Sequence, residues 1–223
     1  MQSGFHNYRF LDALKISDAD VKLSSELTCC VGKKNFSNVE NVTYFGFVTK
    51  DSIKIKISGM KDIELTENQF FAINKSFQIE GSGQAVVFTK FNYQGMINFG
   101  GPIENFGRLS YIDNCRTTIL VHPNKVGDPC LHHLLFPART QQSAHSHPTE
   151  RLGYVNKGSG DCVLASQRIA LNKGDVFLIK PNILHHFESS SEGLEVISYH
   201  PDSNTGPTDE VHPMRSATFV ERD

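Results

Sequence analysis

The chain has 223 residues, with 22 basic and 24 acidic side chains and a formal net charge of −2. That length makes one large domain or two small ones. So even a charge balance excludes a protein held to nucleic acid or to an anionic membrane by a clustered basic surface. The longest apolar runs, such as Ala85-Val86-Val87-Phe88, are a few residues long, against the ~20 a membrane-spanning helix needs.

The start, MQSGFHNYRF, has no apolar signal region, which points to a soluble, cytoplasmic protein. Helical periodicity is scarce, with at most a short helix expected near Leu11 to Leu14 or just after Ser17. Five cysteines follow, Cys29 and Cys30 adjacent and Cys115, Cys130 and Cys162 scattered; an odd number without zinc-type spacing reads as reduced thiols. Sequons at Asn35, Asn41 and Asn74 would carry glycans only in a secreted chain. In SIKIKIS, Ile53, Ile55 and Ile57 alternate with polar residues, as one buried face of a strand should. The remainder reads as short β runs broken by turn clusters such as Gly158-Ser159-Gly160, Asn172-Lys173-Gly174 and Pro181-Asn182, the pattern of a sandwich or barrel.

The chain also resembles itself. IELTENQFFAINKSFQI, from Ile63 to Ile79, lies without a gap over IALNKGDVFLIKPNILH, from Ile169 to His185, pairing Leu65 with Leu171, Phe71 with Phe177 and Ile73 with Ile179. Each copy has a following apolar strand, at Ala85 to Phe88 and Glu195 to Tyr199. Two related β-units are the simplest explanation. They differ in chemistry: nine of the ten histidines come after residue 121, and the position matching His185 is Ile79. The organisation expected is a structural unit over 1–100, a connector rich in Gly and Asn over 101–124, a functional unit over 125–200 and a polar tail over 201–223, disordered or wrapped over a neighbouring surface.

In SAHSHPTE, His145 and His147 are two apart, which on a strand puts both imidazoles on one face. A third histidine, His185, ends GDVFLIKPNILHH, after a buried strand and a Pro181-Asn182 turn. Neutral imidazole ligates Fe, Ni, Cu, Zn and Mn, and three leave coordination positions open. The stretches His145 to Gly158 and Gly174 to His185 resemble the two sequence motifs of the cupin superfamily: a His-x-His pair and a glycine turn, then a glycine, an apolar strand, a proline-type turn and a histidine. The motifs cover about 40 residues, and the internal repeat extends the resemblance to a bicupin whose first unit has lost its ligands. The resemblance implies an all-β fold of two jelly-roll barrels (double-stranded β-helices). It also implies one divalent transition metal per chain (Fe, Ni, Zn or Mn), held by His145, His147 and His185.

One position departs from the motif. The usual glutamate, four residues after the second histidine, is here Arg151, whose guanidinium has no lone pair to offer a metal. Either the site has three histidines alone, or a bulge at Pro148 turns Glu150 inward as a fourth ligand. Strict alternation favours the first, with His145, His147, Thr149 and Arg151 on one face. Arg151 is then the substrate-orienting candidate and Glu150 a catalytic proton acceptor only if it faces the site. One of His132 and His133 in CLHHLLF must face inward; His133 is the substrate-facing candidate, with a hydrogen-bonded core role as the alternative.

A three-histidine centre without carboxylate is similar to those of thiol and diketone dioxygenases among cupins. The leading expectation is therefore an oxygenase-type oxidoreductase acting on a small anionic molecule. A non-catalytic metal-dependent binding protein and a metal-assisted isomerase or lyase are the alternatives, because the fold alone does not decide the reaction. A small-molecule ligand is the expected partner, with no nucleic acid and no membrane, and the chain is expected to dimerise.

Overall fold

The computed structural model describes residues 4–18, 25–38 and 41–215. Among them the chain is almost entirely β, as expected. The strands before residue 101 are β1 (Phe5–Arg9), β2 (Lys15–Ser17), β3 (Glu26–Val31), β4 (Lys34–Phe36), β5 (Thr43–Lys50), β6 (Ser52–Ile57), β7 (Ile63–Thr66), β8 (Phe70–Ile73), β9 (Phe77–Glu80), β10 (Gln84–Lys90) and β11 (Asn98–Gly100). Those that follow are β12 (Leu109–Ser110), β13 (Arg116–Val121), β14 (Cys130–Phe136), β15 (Arg151–Leu164), β16 (Gln167–Asn172), β17 (Asp175–Ile179) and β18 (His185–His200). Leu11 to Leu14 is a turn closed by the Leu14 amide on the Leu11 carbonyl, 3.0 Å, not a helix. The helix considered after Ser17 falls largely outside the described residues.

Two sheets come from the first half, one in the order β11-β8-β5-β10-β3-β2 and one in the order β4-β9-β6-β7. The third runs β1-β17-β15-β18-β14-β13-β12, with β16 added to β15. Two expected boundaries therefore move. β1 leaves the first hundred residues to pair antiparallel with β17, Phe5 opposite Ile179. The segment 101–124, expected as a connector, contributes β12 and β13 to the third sheet. The tail from Pro201 to Arg215 forms no strand and runs back over the turn after Pro123, the Val126 and Gly127 amides donating to the Pro207 and Ser203 carbonyls at 3.1 and 2.7 Å. Residues 216–223 lie outside the described residues.

The halves meet through an apolar core. Leu27, Phe45, Phe47, Val86 and Phe88 pack against Leu131, Leu152, Tyr154, Ile197 and Tyr199, and Tyr199 stacks on Phe88 with ring centroids 5.3 Å apart. Tyr154 belongs to this core. Each half also keeps a core of its own. In the first, Ile53, Ile55 and Ile57 are buried with Phe71, Phe77 and Ile79, so the alternation of SIKIKIS marks an inward face. All five cysteines are buried and free.

The repeat has structural counterparts. Asn68 and Gly174, matched residues of the repeated turn, both have positive φ, 69° and 89°, a conformation that glycine adopts freely and asparagine more readily than most residues. Phe71 lies opposite Gly46 and Phe177 opposite Gly153. In each pair the ring covers the glycine so closely that a Cβ there would meet Phe Cζ at 2.0 or 2.1 Å.

Candidate metal centre

The segment from Gln141 to Glu150 is irregular, touching the sheet at isolated bridges. At one of them His145 and His185 exchange both backbone hydrogen bonds, each 2.9 Å. His147 follows two residues on, its carbonyl accepting from the Asn182 amide at 2.7 Å. Ligand atoms of His145, His147 and His185 all lie within 4.8 Å of one another. The spacing of the sequence and one bridge between distant segments thus bring the three expected ligands together.

Their protonation is set by the backbone. His145 Nδ1 is 2.9 Å from the Ser143 carbonyl and His185 Nδ1 is 2.8 Å from the Ile183 carbonyl. A carbonyl only accepts, so each Nδ1 carries a proton and Nε2 is the atom left to ligate, the arrangement seen in metal-ligating imidazoles. His185 Nε2 is buried without any hydrogen-bond partner, and such a group costs free energy unless something occupies it. Burial, then neighbouring positive groups, pushes His147 down to about 3; burial takes His185 down to about 4. Both imidazoles are neutral, as ligation requires. The donor set fits a transition metal. Among the described residues no carboxylate joins the three: Glu150 is buried, but its Oε1 accepts from the Ser25 amide of the first half at 3.0 Å. It does not line the cavity that the three histidines share, so neither the fourth-ligand nor the proton-acceptor expectation is met.

Arg151 faces the same cavity as the three histidines. Its Nη1 donates to Thr149 Oγ1 at 2.6 Å and to the Glu150 carbonyl at 2.9 Å, with Asp202 at 3.7 Å. Its Nε is buried and unpartnered. The cavity, about 120 Å³, is a small one where a single water takes roughly 10–15 Å³. Apart from the histidines and Arg151 its wall is largely apolar, with Leu134, Phe136, Phe177, Ile179, Phe187 and Val196.

His133 does not reach it. Fully buried, it points to the other face of β14, its Nε2 3.3 Å from Glu195 Oε2. The histidine facing the cavity is His132, and His200 joins it there, their ring centroids 4.7 Å apart. Sequence reasoning missed both. CLHHLLF gives no phase, because Leu131 is buried on one face of the strand and Phe136 on the other.

A family model described as AraC-like ligand binding domain matches residues 129–205, about a third of the chain, and spans all of these side chains. No curated protein matches the sequence. Among solved structures, a cupin 2 conserved barrel domain protein from Leptotrichia buccalis superposes with a TM-score of 0.64 at 12% identity, covering 88% of this chain and 96% of that one. Protein Ylba from E. coli gives 0.62 at 17% identity, covering 92% and 85%. A salicylate 1,2-dioxygenase from Pseudaminobacter salicylatoxidans gives 0.58 at 9% identity, covering 80% and 70%. The chain is an all-β protein with the cupin jelly-roll fold. The likeness to these structures is one of fold. No helix among the described residues is long and apolar enough to cross a membrane.

Proposed function

We propose that the chain is a bicupin whose second unit holds one divalent transition metal on His145, His147 and His185 and acts as an oxygenase-type oxidoreductase on a small anionic molecule. The observation that carries the reading is the convergence of three imidazoles, two of them anchored through Nδ1 to backbone carbonyls, in a largely apolar cavity beside a buried guanidinium. The likeness in fold to a salicylate 1,2-dioxygenase supports it. Iron would supply the redox chemistry between substrate and oxygen. The chain's own contribution is binding and exclusion: Arg151, with its Nη1 held by Thr149 and Glu150, offers Nε to a carboxylate or enolate, and the phenylalanines keep water out. A buried cation near a divalent ion is costly without an anion beside it, which selects anionic ligands.

The experiment is anaerobic reconstitution with Fe2+, followed by oxygen uptake with a panel of small carboxylates that includes salicylate. His185→Ala should abolish iron binding and uptake. Arg151→Leu should retain iron while weakening carboxylate binding by about 1.5–3 kcal/mol, the worth of a charge-assisted hydrogen bond. Full-strength carboxylate binding by Arg151→Leu would remove the guanidinium from the reading. A second reading, a metal-dependent ligand-binding module without turnover, is favoured by the match to a ligand-binding domain model; saturable carboxylate binding with no oxygen uptake would establish it in place of the first.

A further inference from the structure

Three more potential ligands converge beside the tris-imidazole group. Cys130 and His200 lie directly opposite each other in the antiparallel pairing of β14 with β18, and His132, two residues on from Cys130, shares its face. Ligand atoms of Cys130, His132 and His200 all lie within 4.8 Å of one another, with Cys130 Sγ 3.0 Å from His132 Nε2. The His200 ring is 6.1 Å from that of His147, so the two groups are neighbours that share no residue. We infer that Cys130, His132 and His200 form a second metal site, for a thiophilic ion of the zinc class.

Four observations carry this. The tautomer of His132 is prepared as it is in the first group: the Thr117 hydroxyl donates to the His133 carbonyl at 3.1 Å, so its oxygen is left to accept from His132 Nδ1, 3.4 Å away. Nε2 therefore keeps its lone pair and faces the thiol. All three residues stand on β14 and β18, interior strands of the sheet: His132 is paired on both sides, with Ile119 and Ser198, and Cys130 and His200 are paired with each other, which fixes their backbone positions. Zinc bonds of about 2.0 Å to nitrogen and 2.3 Å to sulfur place ligand atoms under about 4 Å apart, within a small side-chain adjustment of the spacing found. The group opens on a groove also lined by Asp202 and Ser203, which supplies a route for an ion.

The donor sets assign different ions to the two sites. Three neutral imidazoles leave an ion's full charge uncompensated, whereas a thiolate, formed as the metal displaces the Cys130 proton, neutralises one unit of it and prefers softer cations. Burial pushes the Cys130 thiol up to about 12, with the Arg151 guanidinium acting the other way, so in the metal-free chain the residue is a thiol and the ion itself must displace the proton. This site does not depend on oxygen chemistry at the other.

The test titrates the metal-free, reduced chain with Co2+ and then Zn2+. The expected result is two Co2+ per chain and a near-ultraviolet thiolate-to-cobalt band, both displaced by Zn2+. Cys130→Ser should abolish the band, lower the stoichiometry to one and weaken Zn2+ binding there at least about tenfold; His185→Ala should keep the band. His200→Gln, which retains the thiol, should also lose the second ion. Circular dichroism checks that each variant folds, and the wild-type spectrum decides even if one does not. One Co2+ per chain with the band would sustain the inference while removing the tris-imidazole site. Absence of the band, or a stoichiometry that Cys130→Ser leaves unchanged, would overturn it.

Discussion

After β8 the chain turns and sets Ile79 opposite Ile55 in the second sheet, inside a core of Phe71, Phe77, Ile53 and Leu65. After β17 the matching turn sets His185 opposite His145, beside a cavity. The framework leading to the two positions is alike: a left-handed residue at Asn68 or Gly174, then a phenylalanine lying on the glycine of the neighbouring strand. The comparison teaches that backbone geometry and chemistry are encoded separately. Repeated turn and strand positions hold the frame, while a few inward side chains decide whether the interior is filled with hydrocarbon or left open around nitrogen donors. Among the described residues, both three-residue groups able to hold a metal lie in the second half.

The largest effect expected from this contrast is loss of the tris-imidazole ion when His145, His147 or His185 is replaced singly by alanine. Elemental analysis should show that ion essentially gone, and unchanged in His122→Ala, His186→Ala and His212→Ala. A metal content undiminished in His185→Ala would count against the tris-imidazole centre. Next comes the converse exchange. Ile79→His should place an imidazole in a core without partners, costing about 2–4 kcal/mol in urea unfolding, and should create no metal site; a new stoichiometric ion in the first half would show that the frame alone makes a centre.

Smaller, and expected to be alike in the two halves, are Gly46→Ala and Gly153→Ala. Each added methyl would strike a phenylalanine ring, and overpacking of this kind costs about 1–3 kcal/mol. Markedly unequal costs would count against a shared frame. A further effect is a pH slope carried by the second half. The metal-free fold holds His132 and His185 at about 4 and His147 at about 3, below the ordinary value of 6.5. The unfolded chain therefore binds more protons in this window, and stability present above pH 6.5 is lost as pH falls toward 4. Denaturant midpoints from pH 7 to 4 should fall, and the slope should flatten in His185→Ala.

Local pattern carried the all-β character and the first ligand group. Ile53, Ile55 and Ile57 read as an inward face because lysines occupy the other, and His145, His147 and Arg151 keep even spacing, so they share one side even though the chain between them is irregular. The repeat exposed the frame because turn residues and strand partners obey local rules. The phase of β14 was decided only by tertiary structure: core covers both its faces, so no polar side marks the outside, and His132 rather than His133 meets the cavity. The burial of Glu150 against Ser25, the pairing of β1 with β17 and the meeting of Cys130 with His200 were likewise beyond the sequence. Period along a strand tells which residues share a face. Hydrogen-bond register between distant segments decides what that face meets, and no local pattern carries that register.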